Sequence, residues 1–495
     1  MTNDKYGIEY CIPLQDKLMS SPISFILDGK IVEIDFERDK HLRPTTTVLN
    51  YLRSLPDHKG TKEGCAEGDC GACTVVVAEP DENGKMMYTP IDSCLVFLPM
   101  IHGKWLITVE DLSETQCGLH PVQESMVQKF GAQCGYCTPG IIMAMFALYK
   151  NDFHPTREAI DDALTGNLCR CTGYRPIVEA TAEACVHNGL DRFTDEEESV
   201  LDQLKKINSE SLDIQTSRQK YFRPTTLSEA MLLKVEHPKA IFITGATDIA
   251  LRVTKKHELL EEVIDLSAIS DLKDIIEDDE KMIVGAGVPL NRVLAKVKNV
   301  FPALHNMLSV FGSPQIRNLA TFGGNLGSAS PIGDTLPVLM AYNAKVILES
   351  IHGKRKVDLD IYVKGYRKTV RMTEEIITAV KIPKLKNGTI VKSYKISKRK
   401  DLDISTVSGA FRLELSANRE VQNIKLVYGG MAEKTQRAGK TEKFLTGRIW
   451  NRENAEAAMN LIDLEFRPIS DARAGEEFRR VAARNLLLKF WSDTQ

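Results

Sequence analysis

"QCGYCTPG", residues 133–140, sets Cys134 and Cys137 in a C-x2-C pair and follows them with proline and glycine. Thirty residues on, "LCRCTGYRP", 168–176, adds Cys169 and Cys171 as a C-x-C pair. Two ligands one residue apart crowd a zinc tetrahedron unless the backbone turns sharply. Thr172, Gly173 and Pro176 offer that turn. The surroundings read as helix: "GIIMAMFALYK" after Pro139-Gly140, "TREAIDDALTGN" behind Thr156 as cap, and "RPIVEATAEACVHN" with Pro176 in its first turn. The sulfurs are thus expected at helix N-termini, where positive partial charge favours an anionic thiolate centre.

Working upstream, a comparable set appears. "EGCAEGDCGACT" and "DSCL" give Cys65-x4-Cys70-x2-Cys73, with Cys94 farther on. This is the plant-type [2Fe–2S] ferredoxin spacing. Zinc is the alternative, and it prefers two separated C-x2-C pairs. Gly64, Gly68 and Gly71 allow a backbone that curls around a cluster and aims N–H groups at sulfur. The flanks read as a small mixed α/β unit. "ISFILDGKIVEIDF" alternates about an Asp28-Gly29 hairpin turn, "TTTVLNYLRSL" is a helix behind a threonine cap, and "CTVVVAE" is a strand.

The chain has 495 residues, 43% hydrophobic and 26% charged, with a net charge of −3. That length exceeds what one core supports, so three or four domains are expected. The charge gives no reason to expect nucleic acid or an anionic membrane. No apolar run approaches a membrane span, and "MTNDKYGIEYC" lacks a signal-peptide pattern. A cytoplasmic location is expected. Of eleven cysteines, eight form the two groups; Cys11, Cys117 and Cys185 remain. A disulfide framework suits neither that compartment nor this length, whereas thiolate ligation of metal suits both. Cys185 and Cys117 read as packing residues, and His120 as a helix-entry hydrogen bonder.

"EGCAEGDCGACTV", "QCGYCTPG" and "GNLCRCTGYRPI" together resemble the molybdenum hydroxylase (xanthine dehydrogenase/oxidase) family at all eight cysteine positions. The resemblance implies a multi-domain α+β protein: a β-grasp [2Fe–2S] ferredoxin-like domain (22–105), a helical-bundle [2Fe–2S] domain (106–190), a linker (191–220), a vanillyl-alcohol-oxidase-type FAD domain (221–385) and a C-terminal α+β flavoprotein domain (390–495). "DRFTDEEESVLDQLKKINSESLDIQTSRQK" is charged and nearly free of aromatic residues, hence the linker, expected to be partly helical.

In the second half, "AIFITGATDIALRV" (240–253) and "NLATFGGNLGSASPIGDTLP" (318–337) would each alone be a generic glycine-rich turn. Placed in this order after the cysteines, they resemble the family's FAD domain. The resemblance assigns Phe242, Ile243, Thr244, Gly245, Ala246, Thr247, Asp248 and Ile249 to the adenine and phosphate segment. It places Phe311 against the flavin ring. Ala320, Thr321, Gly324, Asn325, Ser328 and Asp334 fall along the diphosphate and ribityl chain, where a carboxylate such as Asp334 can accept from hydroxyls. Ile377 and Lys395 fall beside the ring. In mammalian-type relatives an acidic residue follows that lysine in the loop; here Leu402 stands between Asp401 and Asp403, which puts the electron acceptor in question. "GAGVPLNRVL" (285–294) has Leu290 where a dinucleotide fingerprint needs its third glycine, and reads as a strand-to-helix turn.

Nothing in the chain resembles the family's molybdopterin domain. The resemblance therefore implies a separate large molybdopterin-binding subunit, in a heterotetramer of two small and two large chains. Gln133 matches a pterin-contacting position, so that face is expected to dock the partner. The implied role is an electron relay from that subunit through two [2Fe–2S] clusters to FAD and on to NAD+, in hypoxanthine and xanthine hydroxylation. The same relay for aldehydes or N-heterocycles, and a stand-alone iron–sulfur flavoprotein reductase, are the alternatives.

Overall fold

The computed structural model describes residues 20–113, 118–186, 191–207 and 210–495; Cys11 and Cys117 lie outside these segments. The Asp28-Gly29 turn has both residues at positive φ, 51° and 70°, as a tight two-residue hairpin requires. It joins strands Ile23–Leu27 and Lys30–Ile34. Strand Ile23–Leu27 then pairs in parallel with Trp105–Ile107, which pairs antiparallel with Thr74–Pro80, and that strand with Met86–Asp92. Helix Val48–Ser54, capped by the Thr47 side chain, packs on one face of this five-stranded sheet. This is the expected β-grasp arrangement.

"TVVVA" is apolar without alternation because both faces of its strand are covered. Val75 and Val77 point into the core under helix Val48–Ser54, while Val76 and Ala78 point into the core of the helical domain. Helices Pro121–Gln128, Thr138–Asn151, Arg157–Leu164 and Arg175–Val186 form that domain. Thr138–Asn151 is apolar nearly all round, as befits a helix surrounded by protein. Full burial of a side chain such as Phe146 contributes roughly 1.5–3 kcal/mol. Cys185 is fully buried in this core, as expected. His120 caps Pro121–Gln128 through Nδ1, which accepts from the Val122 amide at 3.3 Å.

The 191–220 stretch is only partly a linker. Asp191 caps helix Arg192–Lys206, and Phe193 is buried against Trp105 and Phe146 of the preceding domains. Leu212–Gln215 is a strand paired with Lys220–Arg223, so the next domain begins before residue 220. The reason is its local alternation: Leu212 and Ile214 are buried while Asp213 and Gln215 face outward.

The second half contains a four-stranded sheet, Leu212–Gln215, Lys220–Arg223, Glu262–Asp265 and Ile241–Ile243, and a five-stranded one centred on Ile376–Pro383. "GAGVPLNRVL" is a strand-to-helix turn, as expected, between Lys281–Gly285 and Leu290–Val297. Strands Ile390–Ile396, Val407–Leu415, Val421–Gly429 and Gln436–Arg437, with helices Gly439–Leu445, Arg452–Glu465 and Glu476–Ser492, form the last unit.

Candidate functional site

The nine described cysteines are free thiols. Eight of them come together as four pairs. Cys65 and Cys70 are within hydrogen-bonding reach, as are Cys73 and Cys94; in the second group Cys134 meets Cys171 and Cys137 meets Cys169. Among the described residues no three His, Cys, Asp or Glu side chains converge as a single ion would need. Two thiol pairs side by side are the donor set that a two-iron cluster takes, each iron held by one pair.

The first quartet is mostly enclosed. Cys73 and Cys94 are buried, Cys65 and Cys70 half-buried. The chain curls around Cys65 because Ala66, Gly68 and Gly71 adopt positive φ. That curl points the Glu67 and Asp69 amides at Cys65 Sγ, at 3.4 and 3.3 Å. The Cys70 thiol and these amides hold the Cys65 thiol down at about 5 despite its burial. A Cβ on Gly64 would stand 2.8 Å from Cys70 Sγ. Buried Asp92 accepts from Cys73 Sγ at 3.7 Å; burial, with the nearby Cys65 and Asp69 charges, pushes its carboxyl up to about 8.

The second quartet lies at the surface. Cys134 and Cys171 are exposed, Cys137 half-buried and Cys169 buried. Cys137 is the N-cap of helix Thr138–Asn151, which starts earlier than the sequence reading placed it: Pro139 and Gly140 lie inside its first turn, where proline's missing N–H costs no hydrogen bond. Gly135, Gly173 and Tyr174 take positive φ, which supplies the turn that a C-x-C pair needs. Cys169 N donates to Tyr174 Oη at 2.7 Å, and Cys169 Sγ lies 3.1 Å from Thr172 Oγ1.

Most of the residues expected at the flavin lie on segments that adjoin one another. After strand Ile241–Ile243 the chain turns at Ala246, φ 56°, into helix Ala250–Thr254. Among the described residues, the N–H groups of Gly245, Ala246, Thr247, Asp248 and Ile249 have no acceptor. A run of free amides through a positive-φ residue is an anion-binding nest, which fits a diphosphate. Gly245 packs so closely on the next segment that a Cβ there would lie 1.6 Å from Leu319 O, beside Ala320. Thr321 caps helix Phe322–Ser328 by accepting from Gly324 N at 3.0 Å. Asn325 Oδ1 accepts from Thr335 Oγ1, and Ser328 Oγ donates to Asn325 O. Gly327 opens toward Ile377, whose Cδ1 would be 3.5 Å from an added Cβ.

Lys395 and Asp334 meet in a buried ion pair, Nζ to Oδ2 3.1 Å. Lys395 also donates to Val310 O at 2.8 Å, next to Phe311. Asp334 Oδ1 accepts from Ser405 Oγ at 2.6 Å. Both carboxylate oxygens thus have protein partners, and the pair orients itself before any hydroxyl arrives. Phe242 and Ile243 stand apart from the cradle: Ile243 is in the core beneath the first cysteine loop, and Phe242 packs over Lys234. Leu402 is buried, with φ 75°.

Sequence reasoning missed the residues that join these parts. Lys255 Nζ donates to Cys65 O at 3.0 Å, and Arg399 lies 3.8 Å from Asp69, so the FAD domain and the C-terminal unit each bring one cation to the first cysteine loop. Ser405, Arg399, Gln315 and Arg317 carried no signal, because their partners lie far away in sequence.

Three family models match in chain order: "[2Fe-2S] binding domain" at 108–182, "FAD binding domain in molybdopterin dehydrogenase" at 214–385, and "CO dehydrogenase flavoprotein C-terminal domain" at 392–494. Curated relatives align over nearly the whole chain. Xanthine dehydrogenase/oxidase of Rattus norvegicus is 33% identical over 96% of this chain, that of Gallus gallus 33% over 95%, and xanthine dehydrogenase of Emericella nidulans 32% over 95%. The chain spans 39%, 40% and 38% of their respective lengths. Two solved structures share the fold: carbon monoxide dehydrogenase from Hydrogenophaga pseudoflava (22% identity, TM-score 0.53, 56% of this chain and 96% of that one) and quinoline 2-oxidoreductase from Pseudomonas putida (22%, 0.52, 57% and 98%). With a β-grasp domain ahead of these three matches, and relatives aligned over 95–96% of it, the chain belongs to the molybdenum hydroxylase family, in its iron–sulfur and FAD-binding part.

Proposed function

We propose that the chain is the electron-transfer subunit of a xanthine dehydrogenase, relaying electrons from a molybdopterin-binding partner to NAD+ in hypoxanthine and xanthine hydroxylation. One observation carries the relay: a surface thiol quartet, a buried thiol quartet and a flavin cradle adjoin in that order. The loops of the two quartets meet where Leu168 N donates to Cys70 O at 3.0 Å, and the buried quartet joins the flavin domain where Lys255 Nζ donates to Cys65 O. Bound, two [2Fe–2S] clusters supply single-electron transfer, and FAD supplies the change from single electrons to hydride.

The chain's own residues hold and separate these groups. Cys65, Cys70, Cys73 and Cys94 would ligate one cluster in a mostly enclosed site, and Cys134, Cys137, Cys169 and Cys171 the other at the surface. The free amides from Gly245 to Ile249 receive the diphosphate. Thr321, Gly324, Asn325 and Ser328 line the chain beyond it, and Lys395, fixed by Asp334, presents its charge beside Phe311 and Ile377. This follows the general division in redox enzymes, where the protein positions and tunes and the cofactor performs the chemistry.

The exposed quartet is the docking face for the large subunit. Gln133 is exposed there, and Val127, Phe130 and Tyr136 are apolar and 63%, 83% and 50% exposed. A cytoplasmic heterotetramer of two small and two large chains follows from this reading. No described helix is long and apolar enough to cross a membrane. The substrate pocket belongs to the partner, so the same relay fits a molybdenum hydroxylase for aldehydes or other N-heterocycles. Xanthine is preferred because the curated relatives aligned over the whole chain carry that name. Purification of the chain from its native host tests the reading. A molybdenum-bearing partner should accompany it, and xanthine should bleach the flavin and reduce NAD+. Absence of molybdenum, or bleaching by NADH alone with no response to any heterocycle or aldehyde, overturns it.

A further inference from the structure

The two cysteine loops touch with almost no side-chain bulk between them. Gly71 has φ 67°, and a Cβ on it would stand 2.3 Å from Gly166 O; a Cβ on Gly140 would stand 2.1 Å from Gly71 O. At such contacts spacing is set by hydrogen bonds rather than by packed side chains. The bonds present form a directed chain that starts in the flavin domain. Gln315 Nε2 donates to Asn167 Oδ1 at 2.8 Å. With its oxygen so occupied, Asn167 turns Nδ2 toward Gly71 O (2.9 Å) and Thr74 Oγ1 (3.1 Å). Thr74 Oγ1 donates to the same Gly71 carbonyl at 2.8 Å. Gly71 follows Cys70, whose carbonyl accepts from Leu168, the neighbour of Cys169.

All three side chains are buried: Gln315 is 0%, Asn167 2% and Thr74 1% exposed. If the Asn167 carboxamide were reversed, its oxygen would face the Gly71 oxygen, and buried groups do not tolerate such a pairing. Gln315 opposes the reversal, because its Nε2 is the atom that faces Asn167. Among the described residues its own Oε1 has no partner, and it lies over Gly166, where a Cβ would come within 2.1 Å.

Gln315 is itself held firmly. It sits on helix Pro314–Leu319, between Phe311 and Ala320 of the flavin cradle. Arg317, two residues on and 1% exposed, binds Asp162 of the helical domain at 2.8 and 3.1 Å, and Asn318 Nδ2 donates to Pro90 O at 2.9 Å. Ile316 fills the space beside Gly68, where a Cβ would meet its Cδ1 at 2.7 Å. This one short helix therefore contacts both cysteine domains while its ends run into the flavin site.

We propose that Gln315 is a positioning residue for electron transfer: through Asn167 and Thr74 it fixes Gly71, and so sets the contact between the Cys70 and Cys169 loops from the flavin side. The proposal rests on the assignment of the eight cysteines as cluster ligands.

The test uses the full-length chain and two readouts other than activity. One is the spin–spin splitting between the two clusters in the electron paramagnetic resonance spectrum of the fully reduced chain. The other is hydrogen exchange at the Leu168 amide. Gln315→Met keeps the volume and removes the donor. It should alter the splitting and speed Leu168 exchange, while iron, flavin and the g-values of each cluster stay at wild-type levels. Thr74→Val removes the hydroxyl with its bonds to Gly71, Asn167 and Gln315 but leaves the direct Asn167–Gly71 bond, and should act in the same direction with a smaller effect; it carries the comparison if Gln315→Met fails to retain iron. Asp162→Asn removes one anchor of the same helix, but Arg317 keeps its bonds to Asn291 and Gly312 O and the carboxamide chain stays intact, so both readouts should be unchanged. Splitting and exchange that match wild type in Gln315→Met or Thr74→Val overturn the proposal. So does an Asp162→Asn chain that changes as they do, which would assign the effect to general docking. A wild-type chain without two interacting clusters would instead remove the ligand assignment, and that outcome is separable because Leu168 exchange still reports the backbone contact.

Discussion

Removing the Asp334 carboxylate leaves Lys395 charged and buried, and the cost can be worked from the geometry. Nζ and Oδ2 are 3.1 Å apart, and each side chain is 5% exposed. At an effective dielectric of about 20 the gross attraction is about 5 kcal/mol. Desolvation consumes much of it, but truncating one partner of such a pair typically costs about 3–5 kcal/mol, because the other charge is left unpaired. Asp334→Ala should therefore lower the melting temperature of the flavin-containing half by roughly 6–20 °C, taking about 2–4 °C per kcal/mol for a unit of this size. Asp334→Ala combined with Lys395→Met removes both charges and should recover most of that loss. Differential scanning calorimetry of the three chains, with and without saturating FAD, measures the cycle. FAD should raise the wild-type transition by mass action, about 2.7 kcal/mol at a hundredfold excess over its dissociation constant, and should stabilise neither variant as well. If the double variant melts as low as Asp334→Ala, the unpaired lysine is not the cause. If FAD stabilises all three equally, the pair is not part of the flavin site.

Further outcomes follow from the same geometry. Gly245→Ala would push a methyl to within 1.6 Å of Leu319 O, so the chain should purify with its iron but without flavin; an absorbance spectrum with a full flavin band refutes the cradle. Cys137→Ala should lose one cluster and keep the other, read as a halved iron content and one surviving paramagnetic signal. Unchanged iron removes Cys137 from the ligand set. Burial alone would raise the Asp191 carboxyl, but hydrogen bonds from His120 and Lys150 prevail and hold it below its ordinary 3.8. A depressed folded value contributes stability that is complete above 3.8 and lost as pH falls through the folded value. Helix Arg192–Lys206 should accordingly stay docked at mildly acidic pH and loosen only below about pH 4, and Asp191→Asn should remove that acid step in hydrogen exchange.

The cysteine spacing made the first half of the chain legible, because ligand geometry is local: the C-x4-C-x2-C loop, its glycines and the Asp28-Gly29 hairpin are written within a few residues. The glycine-rich turn after Ile243 and the caps at Thr47 and Thr156 are local for the same reason. What stayed hidden is long-range. Ser405 completes Asp334 from 71 residues away, and Gln315 reaches Asn167 across 148. Such pairs leave no periodicity to read. The span taken as linker illustrates a second limit: its charged face concealed Phe193 and the two-residue alternation of Leu212 and Ile214, which pack it onto both neighbours.

Quantitative iron, acid-labile sulfide and flavin analysis of the purified chain tests the central claim most directly. The account predicts two [2Fe–2S] clusters and one FAD per chain. Zinc in place of iron, a single cluster, or a chain that cannot take up FAD would contradict it.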